Sequence, residues 1–244
     1  MGDAFDGGVE AVAEDLQAAG YLVFAVYYRL APCGTIIGQH VHDLTTDGIA
    51  SGRPLQQTND IKALVRAARA DSRCNLKVGT VGGSGGGSHA VWVALDTNPT
   101  VPSTDWPKWQ GASDLVDCAV SLSGAYDYSD RIDTTGIYEI LIINYTNTAE
   151  RTQQLALSPV SLITSSSIKP LYLLNTDGDS MPYHQILAIQ CVLQEHGVNA
   201  NLYQILTLLN NDKHAFAYWH DWDGLNPQHR VSDDVIAFLN AHLK

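Results

Sequence analysis

Near-continuous apolar runs alternate along the chain with stretches whose apolar residues recur every three or four positions. The first pattern predicts strands buried on both faces and the second predicts helices laid against them. Their alternation predicts a parallel sheet covered on two sides. Val9, Val12, Ala13 and Leu16 share one face of a predicted first helix that stops at Gly20. Residues 21–28, YLVFAVYY, then read as a buried strand. After a loop carrying Pro32, Gly34, Gly38 and Gly48, a helix is expected over residues 59–70, with Ile61, Leu64, Val65 and Ala68 inward. A second strand, residues 77–81, runs into a glycine-rich turn and a helix at 88–95. Strands follow at 118–124, 170–176 and 201–209, with helices near 184–196 and at the C-terminus, where Val235, Ile236, Leu239 and Leu243 align. Residues 125–168 are the least regular stretch and read as a small cap or long connection. No internal repeat or linker interrupts the pattern, so residues 1–244 are expected to form one domain.

Composition narrows the function. The net charge of −12 repels a phosphate backbone and anionic lipid alike, so neither nucleic acid nor a membrane is expected as a partner. No apolar run is long enough to span a bilayer. The start, MGDAFDGGVEAVAEDL, has neither the basic nor the apolar region of a signal peptide. The cytoplasm is therefore the default compartment, although a leader further upstream would change it. Four scattered cysteines form no zinc-type spacing. Cys118 and Cys191 sit in apolar stretches and read as buried thiols. Cys33 and Cys74 lie near polar turns, where an oxidising compartment would let them pair, and the sequence leaves that open.

The chemistry centres on Gly82-Gly83-Ser84-Gly85-Gly86, a G-x-S-x-G pattern between a predicted strand and a predicted helix. A sharp strand-to-helix turn lifts a hydroxyl above the sheet, and its neighbours must lack side chains to let the backbone close up. The helix N-terminus adds free N–H groups, Gly85 among them, that favour developing negative charge. A serine hydroxyl needs an adjacent base, itself oriented by a carboxylate, and in this topology both follow later strands. Asp177 and Asp179 both follow the strand at 170–176. Asp179 lies further out on the turn and is the expected acid, whereas Asp177 suits local backbone N–H groups. His214 lies in the polar loop after the strand at 201–209 and is the expected base. The alternative for the motif alone is a glycine-rich turn that merely contains a serine.

With those residues assigned, the chain resembles esterase-type α/β hydrolases of the carboxylesterase and feruloyl-esterase-like group. The resembling segments are Tyr28-Arg29-Leu30-Ala31-Pro32, the run from Val81 to Ala90, Asp179-Ser180-Met181-Pro182-Tyr183, and His214-Ala215-Phe216-Ala217-Tyr218-Trp219. The resemblance implies a three-layer α/β-hydrolase-like fold with a mostly parallel sheet and a Ser84–His214–Asp179 triad. It implies Gly85 N–H as an oxyanion donor, a small-molecule ester substrate, and no cofactor or metal. It also implies an H-G-G-G segment after an earlier strand, just upstream of a helix like the first one here. The chain starts at Met1-Gly2-Asp3, and an N-terminally truncated version that begins past that segment, with impaired activity, is expected. Its first strands must then close a gap in the sheet, or stability suffers.

Other patterns are weaker. His40-Val41-His42-Asp43 lacks a matching ligand cluster, and Asp221-Trp222-Asp223-Gly224 lacks the rest of a calcium loop. Gly85-x-Gly87-x-x-Ala90 mimics a dinucleotide fingerprint but leaves the acid turn and histidine loop unexplained. His89 reads as a packing residue. Phe216, Tyr218 and Trp219 suit either a pocket or the core, and Tyr126-Asp127 by position would border an acyl site. A silent binding protein or a peptidase on the same fold remain the alternatives to an esterase. Oligomeric state is not legible.

Overall fold

The computed structural model describes residues 8–31, 52–97, 109, 111–225 and 227–244. Cys33, Pro32, the His40-Val41-His42-Asp43 stretch and the first seven residues lie outside them.

Four parallel strands form one sheet in sequential order: β1 (Gly79–Gly83), β2 (Cys118–Leu122), β3 (Leu171–Thr176) and β4 (Tyr203–Leu208). The strands are short and rich in Val, Leu and Ile, and side chains alternate between the two faces. Ala119, Leu171 and Leu173 join one core with Val91, Val93 and Ala94 of α3 (Gly85–Leu95) and Ile186, Ile189 and Leu193 of α6 (His184–Glu195). Cys118, Val120, Leu122, Tyr172 and Leu174 join a second core. That core is covered by Val12 and Leu16 of α1 (Val9–Ala18) and by Val231, Val235 and Leu239 of α7 (Val231–Leu243). The result is the predicted three-layer α/β arrangement. No helix among the described residues is long and apolar enough to cross a membrane.

Four expectations are corrected. Residues 21–28 form no strand. Tyr21 and Val23 pack on the second core, but Leu22, Phe24 and Tyr27 are exposed. Apolar content suits a strand, yet a strand exists only where a neighbour pairs its backbone. Among the described residues β1 pairs only with β2, so this segment does not close the sheet. The segment is pinned at its ends instead: Tyr21 Oη donates to Asn240 of α7 at 2.8 Å, and Arg29 pairs with Asp60 at 2.7 Å.

The helix that carries Asp60, α2 (Pro54–Ala70), starts earlier than the periodicity suggests because Pro54 fixes its first turn. Its buried side is largely polar: Gln57, Thr58, Asp60, Lys62 and Arg66 are inside, whereas Ile61, Leu64 and Ala68 are half-buried. Lys62 is tolerated there by Asp96 at 2.5 Å and Arg66 by Asp114 at 3.3 Å.

Cys191, expected inside, is exposed on the outer face of α6, its thiol 3.5 Å from Glu195 Oε1. Cys118 is buried as expected, and Cys74 carries a free thiol. Residues 125–168 are more regular than anticipated, with α4 (Gly136–Thr146), α5 (Arg151–Ala156) and a 3-10 turn at Pro159–Leu162. Tyr138 and Ile142 of α4 pack with Trp92, Tyr128 and Met181 in a third apolar cluster.

Candidate active site

β1 ends directly in a turn at Ser84, whose backbone adopts φ 55° and ψ −126° as the N-cap of α3. A side-chain-bearing residue at positive φ is strained by about 1–3 kcal/mol, and such strain gathers at functional turns. The Ser84 N–H donates to the Leu122 carbonyl at 2.9 Å, and its carbonyl accepts from Ser88 N–H at 3.1 Å. The flanking glycines are obligatory at two places. A Cβ on Gly82 would lie 2.1 Å from the Gly86 carbonyl oxygen, and one on Gly87 would lie 2.5 Å from Ser121 Oγ. The Gly85 N–H, in the first turn of α3, has no intrahelical acceptor.

The acid turn follows β3. Asp179 is fully buried at its side chain, and its Oδ1 accepts from His214 Nδ1 at 2.6 Å and from Met181 N–H at 2.8 Å. Its Oδ2 accepts from Ser123 Oγ. An acceptor-only carboxylate against Nδ1 assigns that nitrogen the proton and leaves Nε2 with its lone pair. Asp177 is exposed and accepts from Asn210 N–H at 2.9 Å and Asn211 N–H at 3.1 Å. These two backbone donors pull its pKa down. Asp179 thus meets His214, whereas Asp177 meets backbone N–H groups only.

His214 is partly exposed on the loop after β4. That loop is stitched to the acid turn by Gly178 N–H to the Asn211 carbonyl at 2.9 Å and by Thr176 Oγ1 to the Lys213 carbonyl at 2.9 Å. It also presses on the serine turn: a Cβ on Gly83 would lie 2.9 Å from Ala215 Cβ and 3.0 Å from Phe216 Cε2. The residue before Ser84 thus touches the residue after His214. The Ser84 hydroxyl and the His214 imidazole make no hydrogen bond to each other in this arrangement.

One participant went unread in the sequence. Ser123, just past β2, has φ 56°, and its single hydroxyl proton goes to Asp179. It accepts from Ala215 N–H at 3.0 Å, and its 2.8 Å contact with Tyr218 Oη therefore uses the tyrosine proton. The signal available was Ser123-Gly124 at a strand's C-terminal end, the same setting that singled out Ser84.

Tyr218 and Trp219 are core residues, and Phe216 packs between that core and Gly83. Tyr126 is buried with its hydroxyl on Ser121 Oγ at 2.8 Å, so it does not border the site. His89 is buried but more than a filler. Its Nδ1 meets Thr58 Oγ1 at 3.1 Å, and its Nε2 lies 2.8 Å from Gln57 Oε1 and 2.7 Å from Tyr145 Oη. Burial lowers its pKa to about 4. Two clefts, of about 420 Å³ beside Ile140 and Asn144 and about 360 Å³ beside Tyr172 and Phe238, are lined by none of Ser84, Asp179 and His214.

No protein-family model and no curated protein matches the chain. Solved structures do. An acetyl ester-xyloside bifunctional hydrolase from Caldicellulosiruptor lactoaceticus superposes with a TM-score of 0.67 at 18% identity, over 95% of this chain and 75% of that one. A truncated carbohydrate esterase from gut microbiota gives 0.59 at 14%, over 77% and 68%. Thermogutta terrifontis esterase 2, phosphonylated by sarin, gives 0.55 at 17%, over 78% and 65%. At these identities the likeness is one of fold: the chain shares the layered α/β-hydrolase-like architecture of these structures.

Proposed function

We propose that this chain is a serine hydrolase that cleaves carboxylic esters through Ser84, His214 and Asp179. The observation that carries the reading is the 2.6 Å hydrogen bond from His214 Nδ1 to a fully buried Asp179, on a loop in contact with the residue before Ser84. His214 Nε2 takes the Ser84 proton as Oγ attacks the ester carbonyl, and later returns it to the leaving alcohol. Asp179 holds the tautomer and stabilises the imidazolium. Gly85 N–H donates to the oxyanion from the start of α3. Water then releases the acyl group. The close approach of Gly83 to Ala215 supports a short reach from Nε2 to Oγ. Such bonds commonly tighten only when substrate is bound. Acyl or feruloyl esters of plant polysaccharides are the substrate class favoured by the resemblance, and the carbohydrate esterases among the structural neighbours support it.

A fluorophosphonate probe tests this directly, since a sarin-modified neighbour has the same fold. Labelling and p-nitrophenyl acetate turnover should both vanish in Ser84→Ala. Equal labelling of the variant rejects Ser84 as the nucleophile. The missing Ser84–His214 hydrogen bond favours one competitor, a silent binding protein of the same fold. Saturable binding of an aryl ester with no turnover and no labelling selects it. Parallel assays on ester and peptide substrates separate esterase from peptidase.

A further inference from the structure

The loop that follows the histidine segment and the first turn of α7 hold three metal-ligating side chains: Asp223, His229 and Asp234. One donor atom from each lies within 4.8 Å of the others. Asp223 is 2% exposed. Its Oδ1 accepts from Leu225 N–H at 3.0 Å and His229 N–H at 3.1 Å, and an antiparallel bridge between Trp222 and Arg230 closes the loop around it. Its Oδ2 is buried with no hydrogen-bond partner. An orphaned carboxylate oxygen is costly, and more so beside a second carboxylate. The hydroxyl of Tyr172, a residue that lines one cleft together with Asp234, is a second buried atom without a partner. Such a set calls for positive charge between the carboxylates.

We propose that Asp223, His229 and Asp234 together bind one divalent transition-metal ion, which fastens the 221–230 loop to the start of α7. His229 Nδ1 lies 3.1 Å from Asp234 Oδ1. Two ligand atoms each about 2.1 Å from one ion stand roughly 3.0–3.4 Å apart, so this pair is already at coordinating separation. An imidazole with two carboxylates suits zinc or manganese, whereas calcium and magnesium take all-oxygen shells. The His229 side chain is 55% exposed, which gives the ion a route from solvent. No metal was expected from the sequence, in which Asp221-Trp222-Asp223-Gly224 lacks the rest of a calcium loop; Asp223, His229 and Asp234 lie up to eleven residues apart. They meet only because the loop folds back on the helix.

The competing account is a proton shared by Asp223 and Asp234. Calorimetric titration of the EDTA-treated full chain with zinc chloride at pH 7.5 distinguishes them. One zinc per chain is expected, together with a rise in Tm. Loss of even an outer-sphere partner weakens a metal site by about 10–100-fold. His229→Ala, a change at a half-exposed side chain, should therefore weaken binding at least about tenfold and cancel the Tm rise, and Asp234→Asn should act alike. No binding of zinc or manganese overturns the proposal. So does wild-type affinity in both variants, which places the ion elsewhere, as does tighter binding of calcium or magnesium than of zinc.

Discussion

Ser123 holds three groups at once: Asp179 Oδ2, Ala215 N–H and Tyr218 Oη. Ser123→Ala strips the first two of a partner in a buried setting, which costs about 1–3 kcal/mol for each group left unsatisfied. The predicted signature is a lower Tm together with a fall in kcat that exceeds any change in KM, because the imidazole loses its fixed orientation. An unchanged kcat would reduce Ser123 to a packing role. Asp179 and Asp177 give a sharper contrast. Asp179→Asn leaves the shape but offers His214 Nδ1 an amide, and in a serine protease the same change lowers kcat by about 10⁴. A comparable loss of ester turnover is expected here. Asp177→Asn, on an exposed turn, should stay within a few-fold of wild type. Equal effects would refute the assignment of roles. Ser84, Asp179 and His214 could be singled out as candidates because each is a polar residue soon after an apolar run. Ser123 was not, since one serine beside another in SLSG gives no sign of which faces the acid.

At the level of elements, the turn between β1 and α3 depends on two glycines in unequal ways. A methyl at Gly82 would collide with the Gly86 carbonyl at 2.1 Å, whereas at Gly86 the nearest outside atom is Tyr28 Oη at 3.8 Å. Gly82→Ala should cost on the order of 3 kcal/mol or more, about 6–12 °C in Tm for a chain of this length. Gly86→Ala should be neutral or stabilising, since alanine favours a helix over glycine by about 1 kcal/mol. Thermal melts of the pair check both. Helices α1, α6 and α7 and the four strands were readable from periodicity to within a few residues. Residues 21–28 were misread because hydrophobic content alone supplies neither a pairing backbone nor a covering layer: Leu22, Phe24 and Tyr27 are exposed. The polar interior of α2 was misread for the converse reason. Lys62 and Arg66 are inside because Asp96 and Asp114, distant in sequence, neutralise them.

For the molecule as a whole, His89 sets part of the response to acid. Buried among α2, α3 and α4, it has a folded-state pKa of about 4 against 6.5 when free. Above pH 6.5 the imidazole is neutral in both states and its network contributes fully. Below 6.5 the unfolded chain takes up a proton that the folded one refuses, so stability falls until about pH 4 and then levels off. The difference corresponds to about 3 kcal/mol. Denaturant melts of wild type and His89→Gln between pH 7 and 4 should converge by that amount, and a constant gap would show that the imidazole does not titrate as described. The layered α/β plan itself was legible from the alternation of patterns.

Among the described residues β1 has a single ladder, to β2, which leaves a mark that isotope labelling can read. Residues 78 and 84 point their backbone groups toward β2, so by alternation the amides of Thr80 and Gly82 are held there while those of Gly79, Val81 and Gly83 face away. In deuterated buffer the strand should lose protons at every second position, quickly at Val81 and Gly83 and slowly at Thr80 and Gly82, with β2 and β3 slow throughout.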